Sequence, residues 1–185
     1  MRAAAMITLF AVGTLALAHD SDENAAVPVT VYVLRNVTDG NLNVSRAQNI
    51  ASHILAEAGV RIKWQFGQPR RREQQKPIII DFSSNTAETL VPGALAWARV
   101  YEGVHIRVFC DRIRNTVHGS DRLGTFLLAH VMAHEIAHIL ERVDRHSETG
   151  LMKPSWTQME IEGMSVKSLS LAPEDVRLIH NGLFK

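Results

Sequence analysis

Two histidines and a glutamate stand close together in the run AHEIAH, where Glu135 directly follows His134 and His138 comes four residues after it. On a helix, positions i and i+4 lie one above the other on the same face, so both imidazoles can bind one metal ion. Zinc held by three protein ligands keeps a fourth position open, where it lowers the pKa of a bound water. Glu135 is placed to accept the proton of that water. The spacing therefore predicts a catalytic zinc site.

Downstream, the sequence continues with His146-Ser147, three residues, Leu151-Met152, one residue, and Pro154-Ser155-Trp156. This run resembles the metzincin clan of zinc metallopeptidases and is most similar to its matrixin branch. The resemblance implies that a third ligand follows the helix. It also implies that Met152 lies in a turn under the metal without ligating it.

The same resemblance nominates residues that bind substrate on the lower side of the cleft. The segment from Lys153 to Trp156 is expected to wall the pocket for the residue after the cut. Pro154 and Trp156 are the substrate-binding candidates within that segment.

This chain departs from the clan pattern at two positions. Glu141 stands where the family has a helix-ending glycine, and Asp144 stands where it has the third histidine. Family spacing nominates Asp144 as third ligand, whereas ligand chemistry and the run that follows nominate His146, with a loop two residues longer. A left-handed turn is costly for glutamate, which favours the longer loop. We expect His146 to be the ligand, with Asp144 as the alternative and a downstream acid such as Glu160 as a third candidate.

The same residues also allow interpretations without chemistry. A histidine pair on an apolar helix face can be two hydrogen-bonded core histidines, and a methionine after a loop is usually part of the core. His130 extends the face by one turn and is expected to be buried or to support a ligand. The pair, the late histidine and the methionine run together favour a metal site.

Composition fits one globular domain with a sizeable core. Of 185 residues, 46% are apolar and 21% charged, and the formal net charge of +1 indicates neither nucleic acid nor an acidic membrane as partner. The single cysteine, Cys110, excludes an internal disulfide and lies in an apolar strand-like run, so we expect a buried thiol.

The first residues have the form of a secretory signal. Met1 to Ala18 has a short charged start, an apolar middle and an Ala-Leu-Ala ending. We therefore expect a signal peptide at 1–18 and a single peptidase domain at 19–185, its upper subdomain reaching about residue 141 and its lower subdomain spanning 142–185. An uncleaved membrane anchor is the alternative. The mature chain is expected to be secreted, without a membrane span.

Hydrophobic periodicity predicts strand, helix and strand at the start. The strands are Val29 to Leu34 and Val60 to Phe66, and the helix between them is predicted to begin at a capping box of Ser45 and Gln48 and to stop at Gly59. A right-handed crossover makes the two strands parallel.

Two further strand candidates, Ala94 to Val100 and Val104 to Cys110, follow a short buried strand at Ile78 to Phe82. Only three residues join these two, so they must be antiparallel. Resemblance to the clan implies an antiparallel edge strand above the zinc cleft, and chain order assigns that edge to the first of the two. Its free backbone groups can hold an extended peptide. The substrate-binding candidates on it are Ala94, Leu95, Ala96 and Trp97.

A long helix is predicted from Arg122 to Glu141, a polar region without helical periodicity after Trp156, and a last helix from Ala172-Pro173. The expected fold class is α+β and zincin/metzincin-like. It comprises a twisted mixed sheet of about five strands with one antiparallel edge strand, two long helices and a C-terminal helix.

The expected function is a monomeric, secreted zinc endopeptidase acting on peptides or proteins, with Glu135 as general base. A zinc amidase on cell-wall or other non-protein amides is the alternative among enzymes. A catalytically silent, zinc-stabilised binding module is the alternative outside them. Glu135 argues against the silent module, because a purely structural site needs no base.

Overall fold

The computed structural model describes residues 26–34, 42–70, 77–87, 92–98 and 104–184. The predicted signal peptide and residues 99 and 100 of the predicted edge strand lie outside these ranges.

Five strands form one mixed sheet. They are β1 (Val27–Val33), β2 (Val60–Phe66), β3 (Ile78–Ser83), β4 (Ala96–Ala98) and β5 (His105–Phe109). Their order across the sheet is β2-β1-β3-β5-β4, and every neighbouring pair is parallel except β4 with β5. The prediction of a mixed sheet with one antiparallel edge strand is confirmed. The described part of that strand is shorter than the predicted Ala94 to Val100.

Alternating side chains make the two faces of the sheet different. In β5, His105 and Arg107 are exposed whereas Ile106 and Val108 are buried. Lys63 in β2 is likewise exposed. Side chains in a strand point alternately to opposite faces, so β5 is polar on one face and supplies the core with the other. In the central strand β3, Ile78, Ile79 and Ile80 are buried in succession, so that strand is covered on both faces.

Five helices complete the described part of the chain. They are α1 (Val44–Ala56), α2 (Cys110–Thr116), α3 (Asp121–Glu141), α4 (Gln158–Gly163) and α5 (Pro173–Leu183). The predicted long and C-terminal helices are confirmed. The short helices α2 and α4 were not predicted, and Cys110 begins α2 rather than ending a strand. Its thiol is buried, as expected.

The start of α1 corrects the predicted capping box of Ser45 and Gln48. The cap is Asn43, whose side chain accepts a hydrogen bond from the backbone N–H of Arg46. Asparagine is among the best N-cap residues, so it begins the helix before Ser45 can. The backbone N–H of Asn43 is itself bound to Thr125 of α3, which ties the two helices together.

Helix α3 is the core helix of the fold. Ser120 caps it, and almost every residue from Gly124 onward is buried. Among the described helices it alone is long and apolar enough to cross a membrane, but 78% of its most apolar window lies inside the fold. A helix that is apolar all round is expected at the centre of a domain, and α3 carries the candidate residues there.

The last helix packs tightly against the end of α3. A Cβ on Gly182 would lie 1.8 Å from the carbonyl oxygen of Leu140, so only glycine allows this approach. His180 Nε2 also lies 2.9 Å from the carbonyl oxygen of Ala58, just beyond α1. These contacts hold α5 beside the loop that follows α3.

Candidate active site

The final turns of α3 present His134, Glu135 and His138 side by side. Their exposed fractions are 8%, 8% and 5%, so all three are inside the protein rather than on a solvated helix face. Buried polar side chains of this kind need partners.

The helix ends one residue later than the clan pattern implies. Glu141 remains helical, and Arg142 takes the left-handed conformation with φ of 59°. The chain then turns back through a loop that brings His146 to the pair. Arg142 rather than Glu141 therefore takes the left-handed conformation, which is costly for any residue with a side chain.

Three imidazoles converge at this point. Nε2 of His138 lies 3.0 Å from Nε2 of His134. One nitrogen from each of these rings and one from His146 lie within 4.8 Å of one another. A tetrahedral zinc at about 2.0–2.1 Å from each ligand holds two nitrogens about 3.3 Å apart, which is close to the separation of His134 and His138. Three imidazoles are also a ligand set that zinc accepts.

The tautomer of His134 also fits metal binding. Its Nδ1 lies 2.9 Å from the carbonyl oxygen of Leu151 and must donate, because a carbonyl can only accept. The lone pair is then on Nε2, which faces His138. Ligand histidines typically make such a hydrogen bond with their other nitrogen.

Burial keeps the histidine pair neutral. It lowers the pKa of His134 to about 3, with a further lowering from the charge of His138. Burial, followed by the charge of His146, also lowers the pKa of His138. Neutral imidazole is the form that binds a metal.

Glu135 is linked to the edge strand. Burial raises the pKa of its carboxyl to about 8, a hydrogen bond from the backbone N–H of Ala98 opposes the shift, and the charge of Asp144 adds to it. The glutamate therefore lies between the histidines of α3 and strand β4.

A tight turn follows the third histidine. Gly150 has φ of +75°, and a Cβ there would lie 2.4 Å from the carbonyl oxygen of Ser170. The N–H of Ser147 donates to the carbonyl of Met152 at 2.7 Å, and that of Leu151 donates to Ser170 at 2.8 Å. The side chain of Met152 is fully buried next to the residue that binds His134.

Trp156 lies against the histidines on the same side. Its ring is edge-on to that of His134, with centroids 5.6 Å apart, and 6.4 Å from that of His130. Both nitrogens of His130 are occupied, Nδ1 by the carbonyl of Phe126 and Nε2 by the N–H of Leu169. His130 is thus a buried histidine with a hydrogen bond at each ring nitrogen.

A pocket of about 400 Å³ opens at the histidines. Its lining includes all six predicted substrate-binding residues, namely Ala94, Leu95, Ala96, Trp97, Pro154 and Trp156. It also includes residues that the sequence interpretation missed, among them Val131 and Ile161. Val131 lies three residues before His134 on the same helix face, so helical spacing could have identified it as a pocket residue. Ile161 lies on α4, whose capping box of Thr157 and Glu160 was another such signal.

The two alternative third ligands, Asp144 and Glu160, are not members of the histidine cluster. Asp144 lines the pocket and is exposed, but among the described residues the metal-binding cluster consists of the three histidines. Glu160 accepts hydrogen bonds from Lys153 Nζ at 2.6 and 2.8 Å and from the backbone N–H of Thr157. Its carboxylate therefore stabilises the wall of the pocket and the start of α4.

Helix α2 supports the upper rim of the pocket. Arg112 donates to the carbonyl oxygens of Ala94 at 2.8 Å and Ala87 at 3.1 Å. Its neighbour Asp111 accepts from the N–H and hydroxyl of Thr86, both at 2.8 Å. The two residues thus hold both ends of the connection that leads into β4.

Comparison with solved structures finds the same fold in archaemetzincin from Methanopyrus kandleri. The match covers 89% of this chain and 99% of that chain, with a TM-score of 0.59 and 13% sequence identity. No family model matches the sequence, and no curated protein sequence does so. The predicted zincin/metzincin-like fold is therefore confirmed by structure, at a sequence identity that establishes fold alone.

Proposed function

We propose that this protein is a zinc-dependent endopeptidase of metzincin type. The observation that carries the proposal is the convergence of His134, His138 and His146 beside Glu135 in an open pocket. A purely structural zinc site is normally closed by four protein ligands and has no use for a buried carboxylate. Three histidine ligands with an adjacent glutamate are one set of residues that can support zinc-dependent hydrolysis.

In this proposal His134, His138 and His146 would hold a zinc ion, which when bound would act as a Lewis acid toward the scissile carbonyl and lower the pKa of water. Glu135 accepts the proton of the attacking water and later donates it to the leaving amine. The hydrogen bond from Ala98 orients the carboxylate toward the edge strand, where substrate would lie.

Strand β4 is the proposed binding site for the substrate backbone. It ends the sheet, so of the described strands only β5 pairs with it. An extended peptide can add to such an edge through main-chain hydrogen bonds. The facing wall, with Pro154 and Trp156, would then receive the side chain after the cut.

The likeness to archaemetzincin supports the clan, since that neighbour bears the clan's name. The finer likeness to matrixins rests on the run from His146 to Trp156. Secretion rests on the signal-like residues 1–18, and we infer that the mature, monomeric chain acts on peptides or proteins outside the cytoplasm.

The deciding experiment is hydrolysis of a mixed peptide library by the zinc-loaded protein, before and after chelation and after reloading. Cleavage that is lost with the metal and regained on reloading is expected. Tight zinc binding without cleavage of any peptide would favour the silent binding module. Cleavage of cell-wall peptide amides but no library member would favour the amidase.

A further inference from the structure

Both neighbours of His146 donate to one carboxylate. Nη2 of Arg145 lies 2.7 Å from Oδ1 of Asp175, and the hydroxyl of Ser147 donates to the same oxygen. The other oxygen of Asp175 accepts from the backbone N–H of Ala172 at 3.0 Å. The first turn of α5 is thereby joined to the histidine-bearing loop on both sides of the histidine.

The loop needs such an anchor because its own histidine is on the surface. His134 and His138 are held by the buried helix α3, whereas His146 is exposed. Fixing the backbone of each loop residue costs about 1–2 kcal/mol of conformational entropy. The loop is also two residues longer than the clan spacing, so more of it must be ordered.

Asp175 is suited to be that anchor. It is fully buried, and a buried carboxylate is stable only when hydrogen bonds and an opposite charge compensate for lost solvation. Its helix is itself fixed by the contact of Gly182 with Leu140 and by the bond of His180 to Ala58. Charge-assisted hydrogen bonds to a rigid acceptor restrict Arg145 and Ser147 more than bonds to solvent do.

We propose that Asp175 is a positioning residue for the third histidine, acting through Arg145 and Ser147. It touches neither the metal site nor the pocket. The inference rests on the proposed function only in that His146 must be a metal ligand. It adds that a residue of the last helix sets metal affinity.

The test measures metal binding without hydrolysis. Co²⁺ accepts the same nitrogen ligands as zinc and absorbs visible light in a way that depends on coordination geometry. The variants are Asp175→Asn and the double variant Arg145→Gln/Ser147→Ala, titrated with Co²⁺ beside the wild type. Arg177→Gln is the control, because it breaks an exposed ion pair with Glu174 on the same helix.

Removal of a residue that orients a ligand typically costs about 10- to 100-fold in metal affinity, and we expect a loss of this size in both variants with an altered Co²⁺ spectrum. The control should bind Co²⁺ as the wild type does. The single variant Arg145→Lys keeps a positive charge beside Asp175 and should bind Co²⁺ more tightly than the double variant does. If Asp175→Asn does not fold, the single variant Ser147→Ala decides, since Asp175 then keeps its ion pair with Arg145 and the hydrogen bond from the N–H of Ala172.

A folded double variant with the affinity and spectrum of the wild type would overturn the inference. So would a His146→Ala variant with unchanged Co²⁺ affinity, because there would be no third ligand to position. Weakened Co²⁺ binding in the double variant supports the inference even if the wild type cleaves no peptide. That last result would remove the proposed peptidase function while leaving Asp175 as the anchor of a metal site.

Discussion

The carbonyl oxygen of Leu151 accepts a hydrogen bond from Nδ1 of His134, across seventeen residues of sequence. This bond determines which nitrogen of the first histidine is free for a metal. Leu151 directly precedes the buried Met152, so the turn after the loop sets the tautomer of a residue on the helix before it. The end of α3 that carries His134 and the turn that carries Leu151 and Met152 are thus joined by this hydrogen bond.

Glu135→Gln should retain the metal and the fold yet lose most peptide hydrolysis. The amide fills the same space but cannot accept the proton, and a general base contributes about 10²- to 10⁴-fold to rate. The measurement is kcat/KM on a cleaved peptide beside the zinc content of both proteins. Equal activity in the variant would mean that another group takes the proton.

His146→Ala should weaken zinc binding much more than Asp144→Ala does. The imidazole belongs to the cluster of three nitrogens, whereas the carboxylate lines the pocket outside it. Competition titration with a zinc-binding dye gives both affinities. If Asp144→Ala loses zinc and His146→Ala keeps it, the clan spacing rather than the longer loop describes the site.

Arg112→Met should raise KM for a peptide substrate while kcat and zinc content change little. The guanidinium bonds Ala94 and Ala87, so its loss loosens the connection to the edge strand but leaves the histidines in place. The exposed Arg122 at the start of α3 provides the control variant Arg122→Met. A fall in kcat at constant KM would instead place the effect of Arg112 on the catalytic residues.

The free energy of unfolding should fall as pH rises, because the carboxyl of Glu141 has a raised pKa in the folded protein. Its carboxyl is buried, with both oxygens lacking a hydrogen-bond partner among the described residues. Burial, then the charge of Asp175, raises its pKa from 4.5 to about 7, against the opposing charge of Arg145. Below pH 4.5 both folded and unfolded chains hold the proton. Between pH 4.5 and about 7 only the folded chain holds it, so stability falls across this range.

The variant Glu141→Gln removes this titration. The free energy of unfolding of the variant, minus that of the wild type, should therefore rise with pH by on the order of 2 kcal/mol across that window. Urea unfolding at several pH values, at constant metal content, measures the difference. A difference that does not vary with pH would show that Glu141 is ionised in the folded protein.

Gly182→Ala should destabilise the protein, because the added Cβ would collide with the carbonyl of Leu140 at 1.8 Å. Overpacking typically costs about 1–3 kcal/mol. Gly163→Ala at the end of α4 is the matched control, since nothing lies within 4 Å of its Cβ and alanine favours helix. Thermal unfolding of both variants tests the contact, and equal midpoints would show that α5 can shift without cost.

Local patterns in the sequence were sufficient for much of the fold. Alternation of apolar residues marks β2 from Val60 to Phe66, and the three-residue link before Val104 requires antiparallel neighbours. Both signals act between residues close in sequence, where backbone geometry leaves few choices. The spacing of His134 and His138 places both rings on one helix face for the same reason.

The same patterns failed where several local signals competed or were weak. Asn43 precedes Ser45 and takes the cap of α1, while α2 and α4 are too short for a periodic stripe to be recognised. The left-handed residue after α3 is Arg142, which neither propensity nor the clan pattern indicates. These outcomes depend on how the flanking chain packs.

Residue types and helical spacing were enough to predict zinc chemistry, because they specify a pair of imidazoles with a carboxylate beside them. The folded structure was needed to show which later residue joins the pair, because His146 rather than Asp144 belongs to the histidine cluster. It also decided that Asp175 anchors both neighbours of that histidine and that Ala98 bonds Glu135. Such contacts join residues far apart in sequence, and their distances are set by packing among α3, α5 and the sheet, which no local pattern records.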